Sequence, residues 1–421
     1  MPPICRLRHQ EQMPPISPAL WAAAQRRWLI GGIASALALL LFFKYSDALR
    51  SLLYTAAGLE LAEIIIPLGL SYYVFQSIAY LGAAYKRRIP VLRLHELCLH
   101  FSFFPTITAG PIARAARFKS IAGMQAGMAV QLLEPRRLRY PALAVSLILL
   151  GTLKCWVLAA HISAQFADPV FGNPQQYSAA ALLGAVYAYT IALFFNFSGY
   201  SDLVIGMALL LGFRLPQNFA APFYAVNIRD FWNRWHISLS TWIRDYLYIP
   251  LGGSRRGFAR TQLNLLIALL LSGIWHGSGW NFFLWGLLHA LAMIALNLKE
   301  RYFGKLRRRR LWQKALGIVL TFNFVSFAFI LFAVDSLEEA AAFLHALCFS
   351  AAPAAAGEWP WLLLPYLGIA LYPFWAACLQ SLIALFQRLP YPLWFIPLCL
   401  ALQIMLWLAP AGIPGFLYAA F

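Results

Sequence analysis

Residues 261–298 contain no Asp, Glu, Lys or Arg. A membrane-spanning helix needs about 20 predominantly apolar residues, so this stretch is long enough for two passes, and we expect the turn between them near Ser278–Gly279. The 421-residue chain is 62% apolar and only 11% charged, whereas soluble domains are about 25% charged. This excludes a soluble enzyme and a disordered chain, and six scattered cysteines without a C-x-x-C pair exclude a disulfide scaffold. The sequence predicts an all-α polytopic membrane protein.

The other apolar segments extend this prediction to about eight to eleven membrane helices. The further expected spans are 28–43, 64–85, 140–162, 178–197, 315–334, 361–386 and 393–411. Residues 91–118, 200–213 and 215–250 are too short or too interrupted to be plain spans. Irregular backbone at membrane depth persists only where protein or a watery cavity covers it, so we expect re-entrant or interfacial helices around a central tunnel. Residues 1–25 are expected to form a loose tail, and 26–421 a single membrane-embedded domain.

Most of the positive charge lies between the apolar segments. The windows 86–93, 114–119, 136–139, 255–260 and 299–314 hold 21 of the 33 basic residues and one acid, Glu300. They carry a net charge of +20, and the rest of the chain carries −2, within a total of +18. Cytoplasmic loops have such an excess of Lys and Arg, so we expect the windows and the N-terminus to be cytoplasmic. A nucleic-acid partner is not expected, because no soluble domain with exposed aromatic residues is available.

Residues 229–246 (RDFWNRWHISLSTWIRDY) have the apolar spacing of one amphipathic helix. Asn233, His236, Ser240 and Arg244 lie on or beside its polar side. An interfacial helix with a salt-bridged polar face would explain the pattern. The density of three tryptophans, one histidine and five charges in 18 residues also favours polar groups packed into a shaped site.

Two histidines, His276 and His289, stand in the charge-free stretch. An ionisable side chain at membrane depth is costly and is a functional hypothesis by default. His276 is surrounded by Gly273, Gly277 and Gly279, which would let a substrate or another backbone approach closely. A buried neutral histidine is also a suitable general base. For His289 an interhelical hydrogen bond is the favoured interpretation.

The remaining candidate features carry weaker patterns. The histidines of these segments lack the short spacing of metal ligands, so no metal site is predicted. The segment 251–257 (LGGSRRG) is expected to be a cytoplasmic bend, with Arg255 and Arg256 available to an anionic ligand.

Five stretches together resemble the membrane-bound O-acyltransferase family, in particular its bacterial alginate- and peptidoglycan-acetylating branch. They are PLGLSYYVFQSIAYL (67–81), FFPTITAGPIARAARF (103–118), NFSGYSDLVIGMALLLGF (196–213), PQNFAAPFYAVNIRDFWNRWHISLSTWIRDYLYIPLGG (216–253) and SGIWHGSGWNFFLWGLLH (272–289). The specific part is the pairing of WHIS and RDYLYIPLGG with a later WHG, and the core motifs extend over about 67–290. Members of the family usually carry further membrane segments before the region equivalent to 28–43, where this sequence has a proline-rich stretch.

The resemblance implies that an acetyl group moves from a cytoplasmic thioester such as acetyl-CoA, through a tunnel, to a cell-envelope polysaccharide. Peptidoglycan and an alginate-like exopolysaccharide are both possible acceptors. The family's essential histidine falls on His276, and its second recurrent histidine falls on His236. We expect His276 to be the general base and His236 to orient or stabilise the developing oxyanion. Support of the tunnel or oxyanion is expected from Trp275, Asn281, Asn233 and Ser240, and donor binding from Arg255, Arg256 and Arg244.

The resemblance also implies a multi-pass protein of the bacterial inner membrane, with no bound cofactor and with a periplasmic, esterase-like acetyltransferase partner. Two other functions stay open. The first is a transporter of an acyl or glycan intermediate with the histidines as a proton relay, although no internal repeat of the transporter type is present. The second is a scaffold that holds a periplasmic acetyltransferase.

Overall fold

The computed structural model describes residues 18–57, 59, 65–89, 91–114, 119–120, 138, 140–304, 310–353 and 362–409. The helices are α1 (Pro18–Ala57), α2 (Leu70–Tyr85), α3 (Leu94–Phe101), α4 (Pro141–Gly172), α5 (Ala179–Leu210), α6 (Ile228–Arg234), α7 (Ile237–Ile243), α8 (Phe258–His276), α9 (Trp280–Phe303), α10 (Leu311–Ala328), α11 (Ile330–Ala333), α12 (Leu337–Phe349), α13 (Leu364–Ala370), α14 (Tyr372–Arg388) and α15 (Phe395–Leu408). Two-residue strands β1 (Lys119–Ser120) and β2 (Phe213–Arg214) pair antiparallel.

Several helices change their winding along their length. Within α4 the stretches Leu153–Ala159 and Ser163–Ala167 are π-helical, and a π-helical turn at Arg244–Tyr248 continues α7. Single 3₁₀ turns occur at Phe104–Thr106, Pro174–Gln176, Pro222–Tyr224 and Tyr391–Leu393. π-helical turns are uncommon and often lie near functional sites. Their presence in α4 and after α7 therefore favours a functional site near these helices.

Seven helical stretches of the described part are long and apolar enough to cross a membrane, or eight if α13 and α14, which meet at 54°, form one span. The seven are Ala23–Ser46, Pro141–Gly172, Ala179–Leu210, Phe258–His276, Trp280–Phe303, Leu311–Ala333 and Tyr391–Leu408. The turn expected near Ser278–Gly279 lies between α8 and α9. The prediction of an all-α polytopic membrane protein is therefore confirmed. Most of the windows 114–119 and 136–139 lies outside the described residues.

Two boundaries near the N-terminus differ from expectation. α1 begins at Pro18, so residues 18–25 are helical instead of a loose tail, while 1–17 lie outside the described residues. Proline suits a first helical position because the backbone N–H there would lack a helical partner anyway. The expected span 64–85 is helical only from Leu70, because Gly69 has φ 77°, a left-handed conformation that an α-helix does not accommodate.

The expected break between 178–197 and 200–213 is wrong, because α5 runs without interruption to Leu210. Gly199, Asp202 and Gly206 of α5 instead face α4. A Cβ atom on Gly199 would lie 2.7 Å from the carbonyl oxygen of Gly151 in α4. Small residues of this kind let two membrane helices approach closely, so they mark helix packing here and not the end of a helix.

The single helix expected over 229–246 is also wrong, because α6 ends at Arg234 and α7 starts at Ile237. Two backbone hydrogen bonds to a preceding segment hold the break: Ala220 N–H donates to Arg234 O, and Ile237 N–H donates to Asn218 O, both at 2.9 Å. The polar side chains that the helical spacing would align are therefore divided between two short helices.

Helices α8 and α9 form the hairpin predicted from the charge-free stretch, and they cross where two glycines meet. A Cβ atom on Gly286 would lie 2.6 Å from the carbonyl oxygen of Leu269 and 3.3 Å from the Cα of Gly273. No side chain fits at this crossing without moving one helix backbone. The crossing thus fixes the direction in which the end of α8 points.

We expect Gly286→Ala to lower the unfolding temperature of the purified protein, because overpacking a tight contact costs about 1–3 kcal/mol. Gly368→Ala is the matched control, since a Cβ atom at this helical glycine meets nothing within 4 Å and alanine favours helix. Thermal unfolding in detergent measures both. Equal unfolding temperatures for Gly286→Ala and the unmodified protein would contradict the close crossing.

Candidate functional site

His276 is the last residue of α8 and is 3% exposed. Aromatic rings surround it, with ring centroids 4.6 Å away for Trp275, 5.2 Å for Trp285 and 4.9 Å for Phe332. These rings come from α8, α9 and α11, so three elements enclose the imidazole. The result is a histidine held at a helix end inside an aromatic cage.

Two side chains of α1 satisfy the end of α8. The last four carbonyls of a helix have no partner within it. The Nζ of Lys44 donates to the carbonyl oxygen of Trp275, and the Tyr45 hydroxyl donates to that of Ile274 at 2.6 Å. The Lys44 ammonium also lies 5.3 Å from the centre of the Trp275 ring. A cation is favourable at the negative end of a helix, so α1 fixes the turn that carries His276.

His236 lies in the break between α6 and α7 and is 1% exposed. Its Nδ1 lies 3.3 Å from Oδ1 of Asn218, and its ring meets Phe197 edge-on with centroids 4.7 Å apart. The same Asn218 oxygen accepts the backbone N–H of Ser238 at 3.1 Å. Burial lowers the pKa of His236 to about 3, so the imidazole is neutral at physiological pH.

The backbone of His236 is itself strained, with φ 43° and ψ 54°. A non-glycine residue in the left-handed region costs about 1–3 kcal/mol, and such residues cluster at functional sites. The hydrogen bonds that Asn218 accepts from the N–H groups of Ile237 and Ser238 oppose that cost. The strained turn presents a histidine where a regular helix would have continued.

A run of buried polar atoms extends from His276 along α9. The indole nitrogens of Trp275, Trp285 and Trp232, Oδ1 of Asn281 and both ring nitrogens of His289 have no hydrogen-bond partner among the described residues. The His289 ring lies 4.5 Å from that of Trp285 and 5.3 Å from that of Trp232. Buried polar atoms in native proteins are almost always paired with protein or water. Such a run therefore marks a path that water or substrate groups would fill.

The segment before residue 115, expected to be re-entrant or interfacial, packs onto α7. Arg114 is 8% exposed, forms an ion pair of 2.6 Å with Asp245 and donates to the Thr241 hydroxyl at 3.1 Å. Burial opposes ionisation of Asp245, but hydrogen bonds from Arg244 and Arg114 hold its pKa below the usual value. The backbone N–H of Ile112 donates to Ser238 Oγ at 3.0 Å. This segment therefore supports the turn that holds His236.

Residues 51–334, which include both histidines, match the family model described as MBOAT, membrane-bound O-acyltransferase family. The chain belongs to the membrane-bound O-acyltransferase family. It is 35% identical over 329 residues to a probable alginate O-acetylase AlgI of Pseudomonas putida, covering 75% of this chain and 63% of that protein. It is 35% identical to a peptidoglycan O-acetyltransferase of Helicobacter pylori (76% and 64%) and 32% identical to a teichoic acid D-alanyltransferase of Bacillus subtilis (64% and 69%). The chain spans less than two thirds of the length of the first two relatives.

This family member brings together only some of the residues predicted for the site. Trp275 and Asn281 lie beside His276, and the Asn281 amide donates to the carbonyls of Leu331 and Val334, both at 3.0 Å. Asn281 therefore holds α11, and with it Phe332, against the histidine. The favoured hydrogen bond of His289 is not found within the described residues.

Other predicted residues lie apart from His276. Asn233 is exposed, and the Ser240 hydroxyl donates to the Trp235 carbonyl at 3.0 Å, so it stabilises the helix break. Arg244 is exposed and pairs with Asp245 at 2.8 Å. Arg255 and Arg256 are exposed and precede the start of α8. The helical rise from that start to His276 is about 27 Å.

Sequence reasoning missed Lys44 and Asn218, the residues that hold the two histidine turns. Lys44 follows directly on the expected span 28–43, and a cation at membrane depth is itself a signal of function. Asn218 stands in the quoted PQNF stretch, but nothing in its spacing relates it to a histidine 18 residues later.

The depressed pKa of His236 gives a stability prediction. An unfolded histidine binds a proton below about pH 6.5, whereas the folded His236 does so only near pH 3. Between these values the unfolded state binds more protons, so the free energy of unfolding falls as the pH is lowered. From pH 6.5 to 5 the contribution is about 2 kcal/mol.

We therefore expect His236→Gln to lose less stability than the unmodified protein when the pH drops from 7 to 5. Thermal unfolding in detergent at both pH values measures the difference. His345→Gln is the control for the replacement of one histidine, because His345 is exposed on α12. A His236→Gln protein with the unmodified slope would show that the imidazole ionises freely in the fold.

Proposed function

We propose that the protein is a membrane O-acyltransferase that moves an acetyl group from a cytoplasmic thioester donor, acetyl-CoA or a similar compound, across the membrane. The final acceptor is a hydroxyl group of a cell-envelope polysaccharide, peptidoglycan or an alginate-like exopolysaccharide. Membership of the family and two relatives named as O-acetylating proteins support this proposal. The observation that carries it is the caged His276 at the end of α8.

In this mechanism His276 takes the proton of the acceptor hydroxyl while its oxygen attacks the thioester carbonyl. The C–O bond forms and the C–S bond breaks. The imidazolium then gives its proton to the leaving sulfur, which departs as a thiol. Such general base catalysis contributes about 10²–10⁴-fold in rate. The cage of Trp275, Trp285 and Phe332 would exclude bulk water and so protect the thioester from hydrolysis. His236, neutral in its strained turn, would donate or orient a hydrogen bond at the developing oxyanion.

The polar atoms along α9 support a donor path that reaches His276 past His289 and Trp232. The far end of α9 carries a polar cluster, in which Arg229 pairs with Glu300 at 2.7 Å and donates to Asn297 at 2.5 Å. This cluster adjoins the basic window 299–314. Since basic windows face the cytoplasm, a cytoplasmic donor would enter at this end, with Arg255 and Arg256 available to its phosphates.

The same windows support one orientation of the protein in the membrane. With windows 255–260 and 299–314 on the cytoplasmic face of an inner membrane, α8 starts at that face and carries His276 towards the opposite one. The acceptor hydroxyl would thus be esterified towards the periplasmic side. A periplasmic, esterase-like acetyltransferase would supply that hydroxyl or take the acetyl group from its ester to the polysaccharide, and co-purification with the full chain tests that partner.

We expect His276→Ala to reduce envelope O-acetylation to the background of a strain lacking the gene. The reason is the loss of the general base, which contributes about 10²–10⁴-fold. The measurement is acetate released by mild base from peptidoglycan and from surface polysaccharide of the complemented deletion strain. His345→Ala, an exposed histidine on α12, is the matched control and should restore full acetylation.

Membrane insertion is checked in the same cells by the abundance and detergent elution of each variant. A His276→Ala protein that inserts normally and still acetylates at the unmodified rate would refute the role of His276. If the deletion strain itself has unchanged O-acetyl content in both polymers, the proposed reaction is wrong. A transporter would also be distinguished, since it would move its substrate in proteoliposomes without forming an ester.

We expect His289→Phe to lower acetylation while leaving the unfolding temperature equal or higher. Phenylalanine keeps a planar ring among Trp285, Trp232 and Phe324. It removes two buried nitrogens that lack protein partners, and replacing such groups with apolar ones is neutral or stabilising. Activity in the complemented strain and thermal unfolding of purified protein measure the two effects. Unchanged acetylation would remove His289 from the donor path.

A further inference from the structure

A chamber of about 1280 Å³ lies on the side of α5 that faces α4. Helices α4 and α5 form its long walls, and α13, α14 and the segment between Arg214 and Tyr224 close the rest. None of the histidines of the proposed site lines it. Ordinary small-molecule pockets measure about 300–1,000 Å³, so the chamber has room for a larger ligand.

The mostly apolar lining of the chamber extends over more than the hydrocarbon thickness of a membrane. On α5 the lining residues run from Ala180 to Leu209 on one face of the helix, a rise of about 44 Å. The hydrocarbon core of a bilayer is about 30 Å thick. An apolar space of this length between membrane helices suits acyl chains and not a water-soluble compound.

A polar spot interrupts the apolar wall. Lys154 of α4 forms an ion pair of 2.7 Å with Asp202 of α5. One turn earlier on α5, Ser198 is 3% exposed and its hydroxyl has no hydrogen-bond partner among the described residues. The ammonium of lysine has three donors, of which the Asp202 carboxylate accepts one at Nζ. The Lys154 ammonium and the Ser198 hydroxyl can thus donate hydrogen bonds to an acceptor group within the chamber.

The charges of the chamber favour an anion. Lys154, Arg214 and Asp202 are the charged residues among those that line it, which leaves an excess of one positive charge. Arg214 is exposed and follows the end of α5 that is nearer to Asp202. The excess positive charge therefore lies near the end of the chamber at which α5 ends. The helical rise from Asp202 to that end of α5 is about 12 Å.

We propose that the chamber binds one anionic glycerophospholipid of the bilayer. Its acyl chains lie between α4 and α5, and its phosphate accepts hydrogen bonds from Lys154 and Ser198 with Arg214 above it. The lipid fills a space that would otherwise lack contacts, and it supplies the acceptor that the Ser198 hydroxyl lacks. The site is separate from the acyl-transfer chemistry and does not depend on it.

The test is native mass spectrometry of the full chain, purified in detergent, delipidated and titrated with phosphatidylglycerol or phosphatidylcholine of identical acyl chains. We expect one lipid to be retained, with phosphatidylglycerol bound about tenfold more tightly. The reason is that the choline cation of phosphatidylcholine offsets its phosphate charge, whereas phosphatidylglycerol keeps a net negative charge that the excess positive charge of the chamber attracts. Asp202→Asn should increase this preference, because it frees Lys154 from its ion pair. The triple variant Lys154→Gln, Asp202→Asn and Arg214→Gln removes every charge that lines the chamber and should abolish the preference without leaving an unpaired charge.

The position of the acyl chains is tested by filling the chamber. Ile191→Trp places a large side chain at a lining position of α5 and should abolish retention of both lipids. Leu400→Trp, on α15 and 59% exposed, is the control and should retain the lipid like the unmodified protein. Lipid retention by Ile191→Trp, equal binding of the two lipids, or a preference that survives the triple variant would overturn the proposal. A co-purifying neutral lipid that phosphatidylglycerol does not displace would also overturn it.

Discussion

The end of α8 lies inside the protein, and the hydrogen bonds that satisfy it are the constraint on which the site depends. A membrane offers no water to the terminal carbonyls of a helix, so each must find a partner in the protein. Lys44 and Tyr45 of α1 provide donors to the carbonyls of Trp275 and Ile274. This arrangement explains why a lysine is tolerated in the first apolar helix. It also brings α1 to the one turn that must be rigid for His276 to be positioned.

A second constraint is the set of buried polar atoms that protein alone does not satisfy. In a stable membrane core, unpaired indole and imidazole nitrogens cost free energy, and apolar residues of similar shape would avoid that cost. The protein nevertheless has such unpaired nitrogens at Trp275, Trp285, Trp232 and His289. These unpaired nitrogens form one continuous run next to the caged histidine. Their presence is explained if substrate groups or water provide the missing hydrogen-bond partners during turnover. The stability of the protein and its activity would then make opposite demands on the same side chains.

The sequence predicted the α8–α9 hairpin well, because a charge-free stretch of that length has few alternatives in a membrane. It placed Trp275 and Asn281 near His276 for the same reason, since they share that hairpin. It failed at 229–246, where helical spacing is satisfied but the backbone turns at His236. The turn depends on Asn218, and periodicity cannot register a contact between separate segments. The continuity of α5 was missed because 200–213 taken alone is too short to cross a membrane, whereas in the fold it continues the preceding span and Gly199 between them packs against Gly151.

The segment that holds His236 is also a wall of the chamber between α4 and α5. Phe219 lines the chamber, and its ring lies 5.0 Å from that of Phe197 and 5.1 Å from that of Trp235. Phe197 in turn contacts the His236 ring. Asn218, which fixes the strained turn, is the neighbouring residue in the chain. Because closely packed interiors transmit displacement instead of absorbing it, an occupant that presses on Phe219 acts on the turn through two ring contacts. If the proposed lipid is such an occupant, the geometry of His236 would be coupled to what fills this space in the membrane and not only to what binds at the site of acyl transfer.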